Sequence, residues 1–323
     1  MAGVPRAIGV DLGATNARAA VVDRATGAIV AVRKEPHADR APEAVAEGVA
    51  RVVREVASAG GVDLGSCGPV GVGVAGQCLG ATGLVMNAPN LGWRDVPLGS
   101  LLARTLSVPV RVVNDLSAAA WGEQRFGAAR GISDVVLVFV GSGVGSGLIL
   151  GGRLHEGAWG VGGELGHVKV CPRRPGTRPR LCGCGMAGCL EAYTSGVNVA
   201  ARVREELAAG AVSAVREMVE GDLSRVSASD VDAAFEKGDA YARELWEEVG
   251  DLLGTTIANV VTLLNPARVI LGGGMLLGAQ NLERIVRRVL SERVSASAAK
   301  QLSVERAHLG DDAGVIGAAL LGG

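Results

Sequence analysis

The chain has 323 residues, of which 48% are hydrophobic and 20% charged, with a formal net charge of −1. That is the composition of a folded chain long enough for two domains of ordinary size. No basic stripe is present and aromatic residues are only 3%, which excludes an electrostatic footprint for nucleic acid and a base-stacking platform. No stretch reaches the roughly 18–20 apolar residues of a membrane helix. Residues Met1 to Arg6 lack the charged region and apolar core of a secretion signal, so a cytoplasmic protein with reduced cysteines is expected.

Ala7 to Val10 is a short apolar strand that runs into Asp11-Leu12-Gly13-Ala14-Thr15-Asn16. A second strand follows from Ala17 to Val22 and a third from Ala28 to Arg33, so the loop is a hairpin and not a strand-to-helix phosphate loop. Such a turn can be an ordinary Asx turn. It can equally offer backbone N–H groups and a hydroxyl to phosphate oxygens. Asp11, at the strand end, is placed to hold Mg²⁺ through water. Pro42 to Ala59 is predicted as a helix, with Val45, Val49, Val52, Val53 and Val56 on one face and Gly60-Gly61 at its end. A strand over Pro69 to Ala75 leads to the turn Gly76–Gly80, and Trp93 is read as a packing residue.

Val110 to Val113 is a buried strand ending in Asn114-Asp115, before an Ala-rich helix predicted over Leu116 to Arg125. A carboxylate there is equally a helix cap or a catalytic group at a strand end. The strand Asp134 to Val140 enters Gly141-Ser142-Gly143, a second glycine hairpin that echoes the first and suggests a structural duplication. Helices are predicted over Tyr193 to Val215 and Ala240 to Leu264, the second stopped by Asn265-Pro266. Arg268 to Leu271 is a strand ended by Gly272-Gly273-Gly274, which would allow close approach of a flat ligand. Asp311 to Leu321 is predicted as a helix whose small residues permit tight packing.

Between the second hairpin and these helices lies the densest chemistry. Gly162-Gly163-Glu164-Leu165-Gly166-His167 is followed by Cys182, Cys184, Cys189 and Glu191. Three thiolates and an imidazole are the donor set of a closed tetrahedral zinc site, so His167, Cys182, Cys184 and Cys189 are read as structural Zn²⁺ ligands with no position left for a reacting water. Cys67, Cys78 and Cys171 fall outside this spacing and are read as small, half-buried apolar residues.

The G-E-x-G-H segment, the C-x-C-G-x-x-G-C-x-E segment and the order of the other motifs resemble the ROK family of repressors, open reading frames and sugar kinases, most of all its bacterial glucokinases. The resemblance runs from Ile8 to the final Gly-rich helix. It implies a two-lobed actin/hexokinase-like, ribonuclease H-like α/β fold, with residues 1–114 and 309–323 in a small lobe and 115–308 in a large lobe that carries the zinc site. It implies phosphorylation of D-glucose by ATP with Mg²⁺, and Asp115 as catalytic base. Gly76, Asn114, Asp115, Glu164, His167 and Glu191 would contact the sugar. His167 would use one ring nitrogen on zinc and the other on the sugar. Asp11, Gly13, Ala14, Thr15 and Asn16, then Gly141, Ser142 and Gly143, would hold phosphates, and Gly272, Gly273 and Gly274 the adenosine. Ala14 stands where the family usually has a second glycine, and no acid follows the Gly76 turn.

The resemblance also leaves other sugars open, N-acetylglucosamine and N-acetylmannosamine among them, as well as polyphosphate as donor. A sugar-sensing regulator is a different class. Such members carry a helix-turn-helix segment ahead of the first hairpin, where this sequence has ten residues before Asp11. A homodimer is usual in the family. The fifteen positions from His167 to Cys182 exceed the family's usual gap. The insert, Cys171 to Arg180, carries four arginines and three prolines. It is read as a solvated loop, with a basic lip over the site or a dimer contact as the alternative.

Overall fold

The computed structural model describes residues 6–172 and 179–322. The centre of the Arg- and Pro-rich insert, residues 173–178, lies outside the described residues, and the readings made of that loop fall with it. Contacts divide the chain into two compact units. One holds residues up to Leu137, Gly147–Gly163 and Ala307 onward; the other holds Val138–Ser146 and Glu164–Arg306.

Two five-stranded sheets carry the architecture. The first runs in the order Ile29–Pro36, Asn16–Asp23, Arg6–Leu12, Val70–Val74, Val110–Asn114, and the second in the order Arg153–Leu154, Val144–Leu150, Val135–Val140, Arg268–Gly272, Ser303–Arg306. Both read third-second-first-fourth-fifth in chain order. This repetition is the α/β plan of the actin/hexokinase superfamily, and it matches the duplication suggested by the paired glycine hairpins. Among the described residues no helix is long and apolar enough to cross a membrane.

In the first sheet the strand period of two separates large from small side chains. Ile8, Val10 and Leu12 join the core built with the valine face of the helix Pro42–Ala59 and with Leu98 and Leu102. Ala7, Gly9 and Asp11 alternate with them and belong to the other face, where Ala7 packs with Val315, Ile316 and Ala319 of the helix Ala313–Gly322. That face accepts no added bulk. A Cβ on Gly9 would lie 2.1 Å from the Val315 carbonyl oxygen, and one on Gly71 1.8 Å from that of Ala318.

The helix Asp115–Phe126 was expected above to open the second lobe. It packs within the first unit instead, against the helix Ala313–Gly322. The reason is again missing Cβ atoms, since one on Gly317 would lie 1.7 Å from the Ala118 oxygen and one on Gly122 2.5 Å from that of Ala313. The final helix is entered through a 3₁₀ turn, Gly310–Asp312.

Helices Pro42–Ala59 and Ala240–Leu264 form with the expected bounds. Proline at the first turn favours the start of one. Asp239, which accepts from the Ala242 N–H, starts the other, and Asn265, left-handed at φ 47°, stops it. The single helix expected over Tyr193 to Val215 is instead Glu191–Thr194, Gly196–Ala208 and Val215–Met218. Ser195 is extended and its hydroxyl caps the second of these by accepting from the Asn198 N–H, while Gly210 turns out at φ 100°. Apolar periodicity passes over such a cap unseen. Trp93 is buried at 4% exposure and its Nε1–H donates to the Arg40 carbonyl, in keeping with a packing role.

The Gly71→Ala substitution is expected to destabilise the first unit by about 3 kcal/mol, because a buried backbone must move to admit the methyl group. Denaturant unfolding monitored by circular dichroism checks this.

Candidate active site and metal centre

The parallel strands of the first sheet end together. Leu12 pairs with Val74 and Val74 with Asn114. Asp11, Gly76 and Asp115 therefore issue from one sheet edge, the carboxyl edge at which open α/β sheets bind ligands. Of the pair Asn114-Asp115, it is Asn114 that caps the helix. Asn114 Oδ1 accepts from the N–H groups of Leu116 and Ser117, and its Nδ2 donates to the Gly76 oxygen at 3.1 Å. Asp115, next along, sits in the first helical turn and one of its oxygens accepts from the Leu116 N–H. Gly76 is held closely as well, for a Cβ there would lie 2.7 Å from the Asn87 oxygen.

Asp11 is the next-to-last residue of the first strand, on the face shared with Gly9, and a Cβ on Gly314 would lie 3.7 Å from its Cγ. Burial pushes the Asp11 carboxyl above the usual carboxylate range; Arg18 opposes this, Asp311 adds to it and Lys34 opposes it. Between Asp11 and the second strand, the Gly13 N–H donates to the Asn16 oxygen at 3.0 Å, closing the turn. Thr15 is exposed at the tip, and its hydroxyl accepts from Asn16 Nδ2.

In the second unit the donor atoms of His167, Cys182, Cys184 and Cys189 all lie within 4.8 Å of one another. Cys184 Sγ is 3.7 Å from Cys189 Sγ, and Cys182 Sγ is 3.8 Å from His167 Nδ1. Around a tetrahedral ion with metal–sulfur bonds of about 2.3 Å, sulfurs stand roughly 3.75 Å apart and sulfur and nitrogen roughly 3.6 Å apart. These two pairs match the separations around one ion, with Nδ1 as the imidazole donor. Nε2 is left facing Glu164, whose Oε2 is 3.6 Å away, beyond a direct hydrogen bond.

The Cys182 thiol is pushed up to about 12, first by burial and then by the Cys184 thiol, Cys189 and Glu191, against the pull of the Cys184 N–H. Burial also raises Cys184, but the Met186 N–H and the Cys182 and Cys189 thiols outweigh it and hold it below its ordinary value. A metal bound there would displace the Cys182 proton. Lys169 donates to Cys189 Sγ at 2.9 Å and offsets part of the thiolate charge.

Glu191 joins this centre to the second glycine turn. One carboxylate oxygen accepts from the Val144 N–H at 2.9 Å, and the other is 3.7 Å from Cys182 Sγ. A Cβ on Gly143 would lie 2.8 Å from that carboxylate, and one on Gly166 2.1 Å from the Val144 oxygen. Within the turn the Gly141 N–H donates to the Gly143 oxygen, and the Gly141 oxygen accepts from the Gly196 N–H.

With this geometry in hand, the comparisons are specific. The profile of the ROK family matches residues 7–322. The chain belongs to the ROK family. It is similar to a glucokinase of Streptomyces coelicolor, 33% identical over 316 residues that cover 97% of this chain and 96% of the relative. It is also similar to an N-acetylmannosamine kinase of Escherichia fergusonii, 32% identical over 317 residues and 97% of each chain. A solved ROK-family glucokinase from Streptomyces griseus, in complex with glucose and AMPPNP, superposes with a TM-score of 0.77 at 31% identity, covering 98% of this chain and 99% of that one. This ROK protein is accordingly a sugar kinase, an ATP-dependent phosphotransferase.

Within each unit the structure brings most of the expected ROK residues together. Asp11, Gly13 to Asn16, Gly76, Asn114 and Asp115 gather at one sheet edge. Glu164, His167, Glu191 and the turn Gly141 to Gly143 gather around the metal cluster. The glycines after the strand Arg268–Gly272 divide. A Cβ on Gly272 would lie 2.2 Å from the Phe139 ring and one on Gly273 2.4 Å from the Val140 oxygen, whereas nothing lies within 4 Å of one on Gly274. The first two are thus accounted for by packing and the third faces open space. Residues that sequence reading missed are Lys169 at the metal centre, Gly314 and Asp311 beside Asp11, and His37 beside the first hairpin. None carries a local motif.

The purified protein is expected to hold about one equivalent of metal, and Cys184→Ser to lose it with a lower melting temperature, since metal-binding energy is folding energy. Elemental analysis and calorimetry check this. For Asp11 the sign follows from its raised pKa. The stability this group contributes is present at low pH and lost as pH rises through that pKa. Asp11→Asn should therefore match the wild type in melting temperature at about pH 4 and equal or exceed it at about pH 7, while kinase activity falls. Thermal melts across pH, with a parallel assay, read both.

Proposed function

We propose that this chain is a glucokinase that transfers the γ-phosphoryl group of ATP to D-glucose, giving ADP and glucose 6-phosphate, with Asp115 as general base. The observation that carries this is the position of Asp115, on the same sheet edge as the first glycine hairpin and with helix capping left to Asn114. Glucose as substrate is supported by the glucokinase names and the glucose complex among the similar proteins.

In this reading the sugar 6-hydroxyl attacks the γ-phosphorus while the Asp115 carboxylate accepts its proton, and the bond to the β–γ bridging oxygen breaks as ADP leaves. The hairpins Gly13 to Asn16 and Gly141 to Gly143 orient phosphates with backbone donors, and Gly274 lies against the adenosine. Asp11 would hold Mg²⁺ through water, and the ion would supply charge neutralisation to the phosphates. Asn114 contributes through the cap and its hold on Gly76 as well as to the sugar. Glu164 and His167 Nε2 leave a gap that a sugar hydroxyl would bridge, donating to the carboxylate and accepting from the ring. Glu191 completes the sugar set. His167, Cys182, Cys184 and Cys189 would hold zinc, which would fix His167 and supply no chemistry to the transfer itself.

A coupled ADP-release assay over glucose, mannose, fructose, N-acetylglucosamine and N-acetylmannosamine tests this reading, with MgATP or polyphosphate as donor. Turnover is expected with MgATP and glucose, and Asp115→Asn should lower kcat at least ~1,000-fold with little change in glucose binding. Preference for an N-acetylated sugar would overturn the substrate. Sugar binding without turnover on any donor would overturn the kinase reading in favour of a sensor.

A further inference from the structure

His37 lies just past the last paired residue of the third strand, Pro36, which pairs with Asn16. It reaches back over the first glycine hairpin with two groups. Its backbone N–H donates to the Thr15 oxygen at 2.8 Å, and its ring Nε2 is 3.0 Å from the Gly13 oxygen. A carbonyl only accepts, so Nε2 carries the hydrogen in this contact. With the Gly13 N–H closing onto Asn16, the carbonyls of Gly13, Thr15 and Asn16 are each held by a donor.

The consequence follows from peptide geometry. No peptide bond described is cis, and in a planar trans peptide the C=O and the next N–H point in opposite directions. Fixing the Gly13 oxygen on His37 turns the Ala14 N–H away from His37. Fixing the Thr15 oxygen does the same for the Asn16 N–H. We propose that His37 is a positioning residue for phosphoryl transfer. Its imidazole aims the amide donors of the first hairpin at the nucleotide phosphates without touching them. This inference rests on the reading of Gly13 to Asn16 as a phosphate hairpin.

The ring is half-buried and borders a shallow cavity lined by Glu35, Asp39 and Arg51, so a phenyl ring of similar shape can replace it without entering the core. The test compares His37→Phe, His37→Gln and Gly13→Ala by steady-state kinetics, with MgATP and sugar varied separately and melting temperatures recorded. His37→Phe is expected to raise KM for MgATP about fivefold or more, the worth of one hydrogen bond, at unchanged sugar KM and melting temperature. His37→Gln, which keeps an N–H donor, should recover most of that loss. Gly13→Ala is the control for the underlying reading. Its methyl group meets nothing closer than the Asn16 oxygen at 3.6 Å, so it folds normally but crowds a phosphate. A raised MgATP KM in Gly13→Ala with none in His37→Phe would overturn the role of His37 and leave the hairpin reading standing. No effect of Gly13→Ala would overturn the hairpin reading and the inference with it. Loss of stability together with both KM values in His37→Phe, unrescued by Gln, would reduce His37 to a structural part and overturn the proposal.

Discussion

One carboxylate holds the second unit's chemistry together. Glu191 accepts the Val144 N–H at the base of the Gly141 to Gly143 turn and reaches Cys182 of the metal centre with its other oxygen. Gly143 and Gly166 are glycines because that carboxylate and the Val144 backbone fill the space their side chains would need. The turn and the cysteine loop are thus coupled through one side chain. An ion held by His167, Cys182, Cys184 and Cys189 would fix that loop, and with it the ring of His167 beside Glu164.

The first unit is held by close backbone packing. Its sheet is small on one face, and the helix Ala313–Gly322 settles into that face until backbone meets backbone at Gly9, Gly71 and Gly317. This closeness brings Gly314 and Asp311 to Asp11, whose ionised form is thereby made costly. Asp115 is treated differently. It stands in the first turn of a helix capped by its neighbour Asn114.

Much of this was legible in the sequence because its signals are local. The donor set His167, Cys182, Cys184 and Cys189 was readable from residue type, and the two hairpins from glycines between apolar runs. The two long helices formed where periodicity put them. What escaped was decided by contacts distant in sequence. Glycine is ambiguous in a string of letters, because a missing Cβ serves a ligand or a neighbouring backbone equally. Gly272 and Gly273 proved to be the second kind and Gly274 alone opens outward. The helix break at Ser195 is a serine cap within an apolar period, and His37 meets the hairpin across a strand pair that no motif announces.

The central claim is that the metal centre organises both the sugar-facing groups and the second glycine turn. The most direct measurement is titration calorimetry of sugar and of a non-hydrolysable ATP analogue, on metal-stripped protein and again after one equivalent of zinc is restored. Both affinities should fall on stripping and return with the metal. Unchanged affinity for sugar and nucleotide in folded, metal-free protein would contradict the account.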